Sequence, residues 1–175
     1  ASNKQSTNAV DTGDMWECPD FFPIGNKHVL LISTMGKVRW KVGTYSHQRF
    51  TPEKEGVVDW GSYYAAKTML DRDGNRILWG WIPETRPDAD LIAAGWAGVM
   101  SLPRIMSLTK GNELQTRVAP ASNVLRGTHT QASGKEAANL RIEDLPAELD
   151  LHIQPGPTEF TLRLESDAGE FASVV

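Results

Sequence analysis

Short apolar runs separated by turn-forming residues make up most of the chain from about residue 28 onward. They are rich in Val, Ile, Leu, Tyr and Trp, which is typical of β-strands, and helical spacing is not sustained. The runs are HVLLIST, KVRWKVGTY, SYYAAKTML, NRILWGW, WAGVMSLP, RIMSLT and ELQTRVA. The pattern therefore predicts an all-β fold in which each run forms a strand.

Glycine-containing segments between neighbouring runs predict three tight hairpin turns. These segments are residues 35–37 (MGK), 71–75 (DRDGN) and 109–112 (TKGN). Glycine supplies the positive φ that such turns need. Many short strands joined in this way predict a propeller, a barrel or a sandwich, and all three stay open at this point.

A change of composition divides the chain into two β units. Residues 119–139 lose the alternation and gain Ser, Thr, Gly and Ala, as a connecting segment does. Beyond them NLRIEDL, ELDLHIQP and EFTLRLES alternate apolar and charged residues with period two, which predicts half-exposed strands. We therefore expect one β unit over residues 1–118, a linker over 119–139 and a second, sandwich-like unit over 140–175.

Composition and charge exclude several classes of protein. With 175 residues, 40% of them hydrophobic, the chain can form one ordinary core or parts of two. The net charge is −4 and there is no basic stripe, so nucleic acid is not an expected partner. No apolar run reaches the roughly 20 residues of a membrane helix, so we expect no membrane contact. The single cysteine rules out a disulfide within the chain.

Metal ions and nucleotide cofactors are not expected either. The four histidines, His28, His47, His129 and His152, are scattered over separate segments without the spacing of metal ligands. No P-loop or G-x-G-x-x-G string occurs in the 175 residues. The sequence thus predicts chemistry that side chains carry out without a cofactor.

One carboxylic acid has unusual neighbours. Residues 15–22 read MWECPDFF, so Glu17 lies between a tryptophan and the only cysteine, with a proline two residues on. Partial dehydration by aromatic walls would disfavour the charged carboxylate and raise its pKa, which suits a proton donor near neutral pH. The alternative is a solvent-facing loop glutamate beside a buried tryptophan, and this octapeptide alone leaves both interpretations open.

Two blocks of sequence resemble a known family of enzymes. WECPDFF resembles the acid/base motif of glycoside hydrolase family 32, the invertases, inulinases and other β-fructofuranosidases. Residues 57–104, which begin with VVDWGSYYAAKTMLDRDGNRILWGW and end with SLPR, are similar to a second signature region of that family. The resemblance implies a five-bladed β-propeller followed by a β-sandwich. Residues 1–118 would be part of the propeller, namely its later blades, and residues 140–175 part of the sandwich.

The resemblance also implies an activity and a set of site residues. The family hydrolyses terminal β-fructosyl units of sucrose or fructans with retention, and Glu17 matches its general acid/base. By the same match Asp59, Tyr64, Trp81 and Cys18 border the substrate. The competing interpretations are a turn-capping Asp59, a sheet-packing Tyr64, a Trp81 packed in the core between blades and a packing thiol at Cys18. Trp40, Trp60 and Trp96 are expected to pack between strands.

The sequence departs from the family pattern at two catalytic positions. The family's nucleophile lies in a W-M-N-D-P-N-G-like string and its stabilising aspartate in an R-D-P string, and neither string occurs here. Asp11 and Asp14, the only carboxylates before Glu17, lack family-like neighbours. We therefore expect the chain to be inactive alone, with a carbohydrate of the sucrose or fructan type as its ligand and with activity only when the missing blades are supplied. The resemblance favours an extracellular or periplasmic location.

A function of another class stays open beside the enzyme. A propeller remnant with open sheet edges could be a non-catalytic carbohydrate-binding or assembly module. Such a module would complete its sheets by self-association.

Overall fold

The structure, a computed structural model, describes residues 15–134 and 148–152 in full and the backbone of residues 162–166 and 169–174. The chain divides into two compact units, residues 1–128 and residues 129–175. Within the described residues the secondary structure is almost entirely antiparallel β-sheet, as the sequence predicts. Over these residues no helix has the length and apolar character to span a bilayer.

The first sheet has four strands in sequential antiparallel order. They are β1 (Glu17–Ile24), β2 (Lys27–Thr34), β3 (Lys37–Ser46) and β4 (Arg49–Val57). The β2–β3 turn is at Met35 and Gly36, inside the predicted segment, and both residues have positive φ. The connectivity is that of one propeller blade, a four-stranded meander.

The second sheet repeats this arrangement further along the chain. Its main path runs β5 (Tyr64–Leu70), β6 (Arg76–Ile82), β8 (Arg104–Leu108) and β9 (Leu114–Val118), and the two-residue β7 (Val99–Met100) pairs with β6. The predicted turns at 71–75 and 109–112 join β5 to β6 and β8 to β9. In the first of them Asp71 Oδ1 accepts hydrogen bonds from the backbone N–H groups of Asp73 and Asn75.

The core of the first unit lies between the two sheets. Its buried members come from both sheets: Phe22, Val29, Leu31, Val38, Trp40, Val42, Tyr63, Ala66, Leu78 and Met106. The Tyr63 ring lies against the backbone of β6, and a Cβ added at Gly80 would be 2.1 Å from Tyr63 Cζ. Only glycine allows so close an approach, so Gly80 is required for the packing of the second sheet.

The second sheet has another face, turned away from the first sheet. Ile77, Trp79 and Trp81 alternate with the core residues along β6 and therefore lie on this face. Met69 and Ile105 pair with Ile77, and Met100 pairs with Trp81. We call these six residues the outer face. Ile77 and Ile105 are covered, whereas Met69 and Met100 are 56% and 61% exposed.

One predicted strand is wrong over most of its length. WAGVMSLP forms only the two-residue β7, because Gly95 and Gly98 both have positive φ and Pro103 has no N–H to donate. The apolar pattern also lacks a signal for the short helix α1 (Asp88–Ala94), which ends at Gly95. Strands β1 and β4 are absent from the prediction as well, since each contains a proline and lacks a clear alternation.

The described residues after β9 give less detail. The predicted linker begins with Ala119, which is buried against Ile77 and Ile105, and continues as a 3-10 helix, Pro120–Leu125. In the second unit β10 (Leu162–Ser166) pairs antiparallel with β11 (Gly169–Val174). Residues 148–152 are not in a strand, contrary to the prediction for ELDLHIQP, and NLRIEDL lies outside the described residues. The domain boundaries and the sandwich stay predictions.

Candidate active site

The first strands of the two sheets each begin with a β-bulge. In β1 the pairing register shifts between Glu17 and Asp20, and Cys18 has a φ of 47°. In β5 the register shifts between Tyr64 and Lys67, and Ala65 has a φ of 49°. Residues other than glycine seldom adopt such a φ. A bulge bends the strand and redirects the adjacent side chain, so both sheets use the same device at the same place.

The two bulges bring Glu17 and Tyr64 together. The Tyr64 hydroxyl donates a hydrogen bond of 2.5 Å to Glu17 Oε2. The length is that of a charge-assisted O–H···O⁻ bond. This hydrogen bond, with a smaller contribution from burial, raises the pKa of Tyr64 to about 12, so the hydroxyl remains a donor at all ordinary pH values.

Further contacts between β1 and β5 stabilise the place where the two strands meet, which we call the junction. The Lys67 ammonium donates to the Pro19 carbonyl at 2.6 Å. Asp20 Oδ2 accepts from both the backbone N–H and the hydroxyl of Thr68, each at 2.8 Å. Asp20 follows Glu17 by three residues, and its role as a clamp between the sheets could not be seen in the string because its partner is 48 residues away.

Trp81 lies beside this junction. It pairs with Tyr64 across the β5–β6 ladder and with Met100 on its other side. Trp81 is 44% exposed in the part of the chain that the structure describes, and the two interpretations, a pocket tryptophan and a tryptophan packed between blades, both stay predictions. The exposed indole can offer its face to the apolar side of a ligand.

Glu17 is exposed to solvent, which corrects the expectation of a dehydrated carboxylate. Trp16 and Cys18 beside it are only partly buried, so the described residues build no closed aromatic wall around it. Glu17 is exposed because it is the first residue of β1 and lies at the end of the contact between β1 and β5. Its orientation comes from the hydrogen bond with Tyr64.

Asp59 is held in a different set of contacts. Its Oδ1 accepts from the Gly61 N–H at 2.7 Å, and its Oδ2 accepts from Arg104 at 2.7 Å. The Arg104 guanidinium also stacks over the Tyr63 ring, 4.8 Å from the centroid. Asp59 therefore caps a turn and forms an ion pair. The structure brings Glu17, Cys18 and Tyr64 together, and Trp81 is the partner of Tyr64 in the β5–β6 ladder. The described contacts of Asp59 are with Gly61 and Arg104.

Two tryptophans expected between strands are elsewhere. Trp60 is 78% exposed in the segment before β5, and Trp96 lies in the loop after α1. Trp96 stacks under the guanidinium of Arg86, 4.0 Å from the ring centroid, and Arg86 forms an ion pair with Glu84. No sequence pattern predicted this cluster, although Glu84 and Arg86 are an acid and a base only two residues apart.

Within the described residues, no group of three or more His, Cys, Asp or Glu side chains is arranged to hold a metal ion. The site therefore consists of one carboxylate, a tyrosine hydroxyl that donates to it, an exposed indole and a partly buried thiol. Such a set can hold a proton donor beside an apolar surface.

Two packed antiparallel sheets, each built on a path of four strands and meeting through their first strands at a carboxylate, define a fragment of a β-propeller protein. Comparison with known proteins identifies the family of propeller proteins. The model of the glycosyl hydrolases family 32 N-terminal domain matches residues 1–118. The chain belongs to this family.

Individual relatives agree with the assignment. The acid beta-fructofuranosidase of Solanum lycopersicum is 32% identical over 91% of the chain, and a beta-fructofuranosidase of Oryza sativa subsp. japonica is 36% identical over 56% of it. The crystal structure of fructan 1-exohydrolase IIa from Cichorium intybus, a variant in complex with 1-kestose, superimposes with a TM-score of 0.62. It is 29% identical and covers 67% of the chain.

The chain matches only part of each of these proteins. It spans 27% of the tomato enzyme, 21% of the rice enzyme and 27% of the chicory structure. What the whole enzymes act on therefore informs a proposal for this chain.

Proposed function

We propose that the chain contributes the general acid/base of a retaining β-fructofuranosidase acting on terminal β-fructosyl units of sucrose or a fructan. Glu17 is the proton donor to the departing glycosidic oxygen and then takes a proton from the attacking water. The observation that carries the proposal is the hydrogen bond from Tyr64 to Glu17 where the first strands of the two sheets meet, beside the exposed Trp81.

The hydrogen bond from Tyr64 gives the two carboxylate oxygens of Glu17 different roles. Its hydroxyl donates to Oε2, which fixes the orientation of the carboxylate and leaves Oε1 to transfer the proton. The orientation therefore persists while the charge on Glu17 changes.

The remaining candidate residues act in binding. Trp81 packs on the C–H surface of the fructosyl ring, and Cys18, next to the acid, lines the same wall. Asp59 borders the pocket through the Arg104 ion pair that fixes the segment before β5. Polar groups of these residues read the sugar hydroxyls.

The acid/base needs a second carboxylate to complete the reaction. Retaining hydrolysis uses a nucleophile about 5–5.5 Å from the acid/base. Residues 1–175 contain neither of the two aspartate strings of the family, so we expect no sucrose hydrolysis by these residues alone. Activity would appear when the blades that carry the nucleophile are present.

Sucrose hydrolysis by Glu17→Gln in the full native gene product tests the proposal. Glutamine keeps the size and the hydrogen bond from Tyr64 but cannot donate the proton, so we expect activity to fall by about 10²–10⁴-fold. The matched control is Glu113→Gln, an exposed glutamate paired with Lys54 on the surface, which should leave activity unchanged. Full activity of Glu17→Gln would overturn the assignment.

A non-catalytic carbohydrate-binding or assembly module is the second candidate. The observation that favours it is the outer face, where Met69, Trp81 and Met100 are exposed. Such a module would bind fructose, measured by tryptophan fluorescence, or associate with itself. Sucrose hydrolysis by the full native gene product that depends on Glu17 would count against it.

A further inference from the structure

The loop between β6 and β8 is closed by one carboxylate. Glu84 Oε1 accepts from the backbone N–H groups of Thr85 and Arg86 at 2.9 and 2.7 Å and from Arg86 Nε at 3.0 Å. Its Oε2 accepts from Arg86 Nη2 at 2.7 Å and from the Gly98 N–H at 3.2 Å. One side chain thus joins the start of the loop to its far end, 14 residues on.

Arg86 strengthens this closure. Besides its bonds to Glu84, it donates from Nη2 to the Trp96 carbonyl at 3.0 Å while its guanidinium covers the Trp96 ring. The side chain and backbone N–H of Arg86, followed by the N–H groups of Gly98 and Thr85, hold the pKa of Glu84 well below its usual range. The carboxylate therefore stays charged at neutral pH and keeps all of these partners.

Gly98, the far end of this closure, packs directly on Trp81. It has a φ of 63°, and a Cβ added there would lie 2.5 Å from Trp81 Nε1 and 3.1 Å from the Ile82 carbonyl. The backbone of Gly98 therefore forms a wall against the edge of the indole. A shift of Gly98 would open or close the space that the ring occupies.

We infer that Glu84 is a positioning residue for Trp81: it holds Gly98 against the indole edge and so sets the orientation of the ring. Glu84 itself need not touch a substrate. The consequence for sugar binding rests on the proposed function, because only there does Trp81 face a fructosyl unit. The orientation of the ring can be measured without a sugar.

Two substitutions test separately the carboxylate of Glu84 and the contact of Gly98 with Trp81. Glu84→Gln can keep the carbonyl oxygen that accepts from Thr85 and Arg86 but places an NH2 donor where Gly98 and Arg86 Nη2 donate, so the far end of the loop is released. Gly98→Ala leaves the carboxylate in place and pushes on the indole directly. Glu113→Gln is the matched control for the first. Gly111→Ala is the control for the second, since nearby atoms leave room for its Cβ and its φ is not positive.

The measurement is the indole N–H signal of Trp81 in the NMR spectrum of the ¹⁵N-labelled 175-residue chain. The chain has six tryptophans, and Trp81→Phe assigns the signal by its loss. We expect the Trp81 signal to move by more than its line width in Glu84→Gln and Gly98→Ala. The Trp40 signal and both control variants should be unchanged, since Trp40 lies in the core between the sheets.

A fructose titration of the same samples separates this inference from the proposed function. If both hold, fructose moves the Trp81 signal and the response weakens several-fold in Glu84→Gln. If the variants move the signal but fructose never does, the positioning role stands and the proposed function loses support. A Trp81 signal that stays in place in both variants, with backbone amide spectra of folded protein, overturns the inference even if fructose binds.

Discussion

Tyr64 should ionise later than an ordinary tyrosine because its proton is shared with Glu17. Its pKa of about 12 lies above the usual value of about 10, so the neutral donor is favoured in the folded chain. The stabilisation is fully present below about pH 10 and is lost as pH rises through 12. Ultraviolet absorbance of tyrosinate measured against pH should therefore show a late-titrating group that disappears in Tyr64→Phe.

The cause of this shift can be separated from burial. Tyr63 also has a raised pKa, but burial is the main cause there, so Glu17→Gln should leave its titration unchanged. In that variant the Tyr64 titration should return toward about 10, because the neutral amide no longer favours the protonated hydroxyl. A Tyr64 titration that is the same with glutamate or glutamine at position 17 would contradict the assignment of its partner.

At the scale of residues the sequence identified the candidate acid but not its surroundings. The string around Glu17 selected it only together with the second family-like block at residues 57–104, whereas its exposure results from its place at the start of β1. The bond to Tyr64 joins residues 47 apart in the chain, and no local pattern carries information about such a pair. The turn-capping role of Asp59 was foreseen as an alternative, since aspartate two residues before a glycine is common in turns.

Among the elements, the bulge in β5 contains strain that a substitution can release. Ala65 has a φ of 49°, which costs an L-residue about 1–2 kcal/mol, while glycine loses roughly 0.5–1 kcal/mol in backbone entropy. Ala65→Gly should therefore stabilise the chain by about 0.5 kcal/mol, the difference between the two effects. The measurement is the midpoint of urea denaturation.

The neighbouring alanine provides the control. Ala66 is buried in the core and its φ is not positive, so Ala66→Gly removes a packed methyl and gains no relief. It should destabilise the chain by about 1 kcal/mol or more. If the two variants shift the midpoint in the same direction, the φ of Ala65 is not a source of strain.

The strands that the sequence predicted well are those with simple physical signals. Strands β2 and β3 combine β-branched residues with a glycine turn between them, and their bounds agree with prediction to within a residue. Strand β1 could not be recognised by pattern, because its two prolines and its bulge interrupt the alternation. The bulge that interrupts the alternation of β1, and so prevents its prediction, is thus also the feature that orients Glu17.

For the molecule as a whole, the outer face of the second sheet predicts self-association. Met69, Trp81 and Met100 expose apolar surface on this face, and exposed apolar surface can mark a contact with another part of a protein or another chain. Lysine at Met69 and Met100 would place charge on that face, so the double variant should lower the average mass seen in concentration-dependent sedimentation. The control is Met35→Lys, at an equally exposed methionine in the β2–β3 turn.

The outcome also shows whether the outer face is the surface that another part of a protein would contact. If the double variant and Met35→Lys behave alike, the outer face is not the contact surface. If only the double variant dissociates, this face is where a further blade or a second copy would pack. In either case the core between the two sheets remains intact, because both methionines lie outside it.

Because of the hydrogen bond between Glu17 and Tyr64, the first strands of the two sheets should come from the same parent when homologous sequences are recombined. Consider chimeras of two family members whose crossover falls between β1 and β5: the carboxylate then comes from one parent and the hydroxyl from the other. Both bulges must have the same geometry for the two groups to meet. Recombination between distant relatives should therefore rarely be tolerated when the crossover falls between residues 17 and 64.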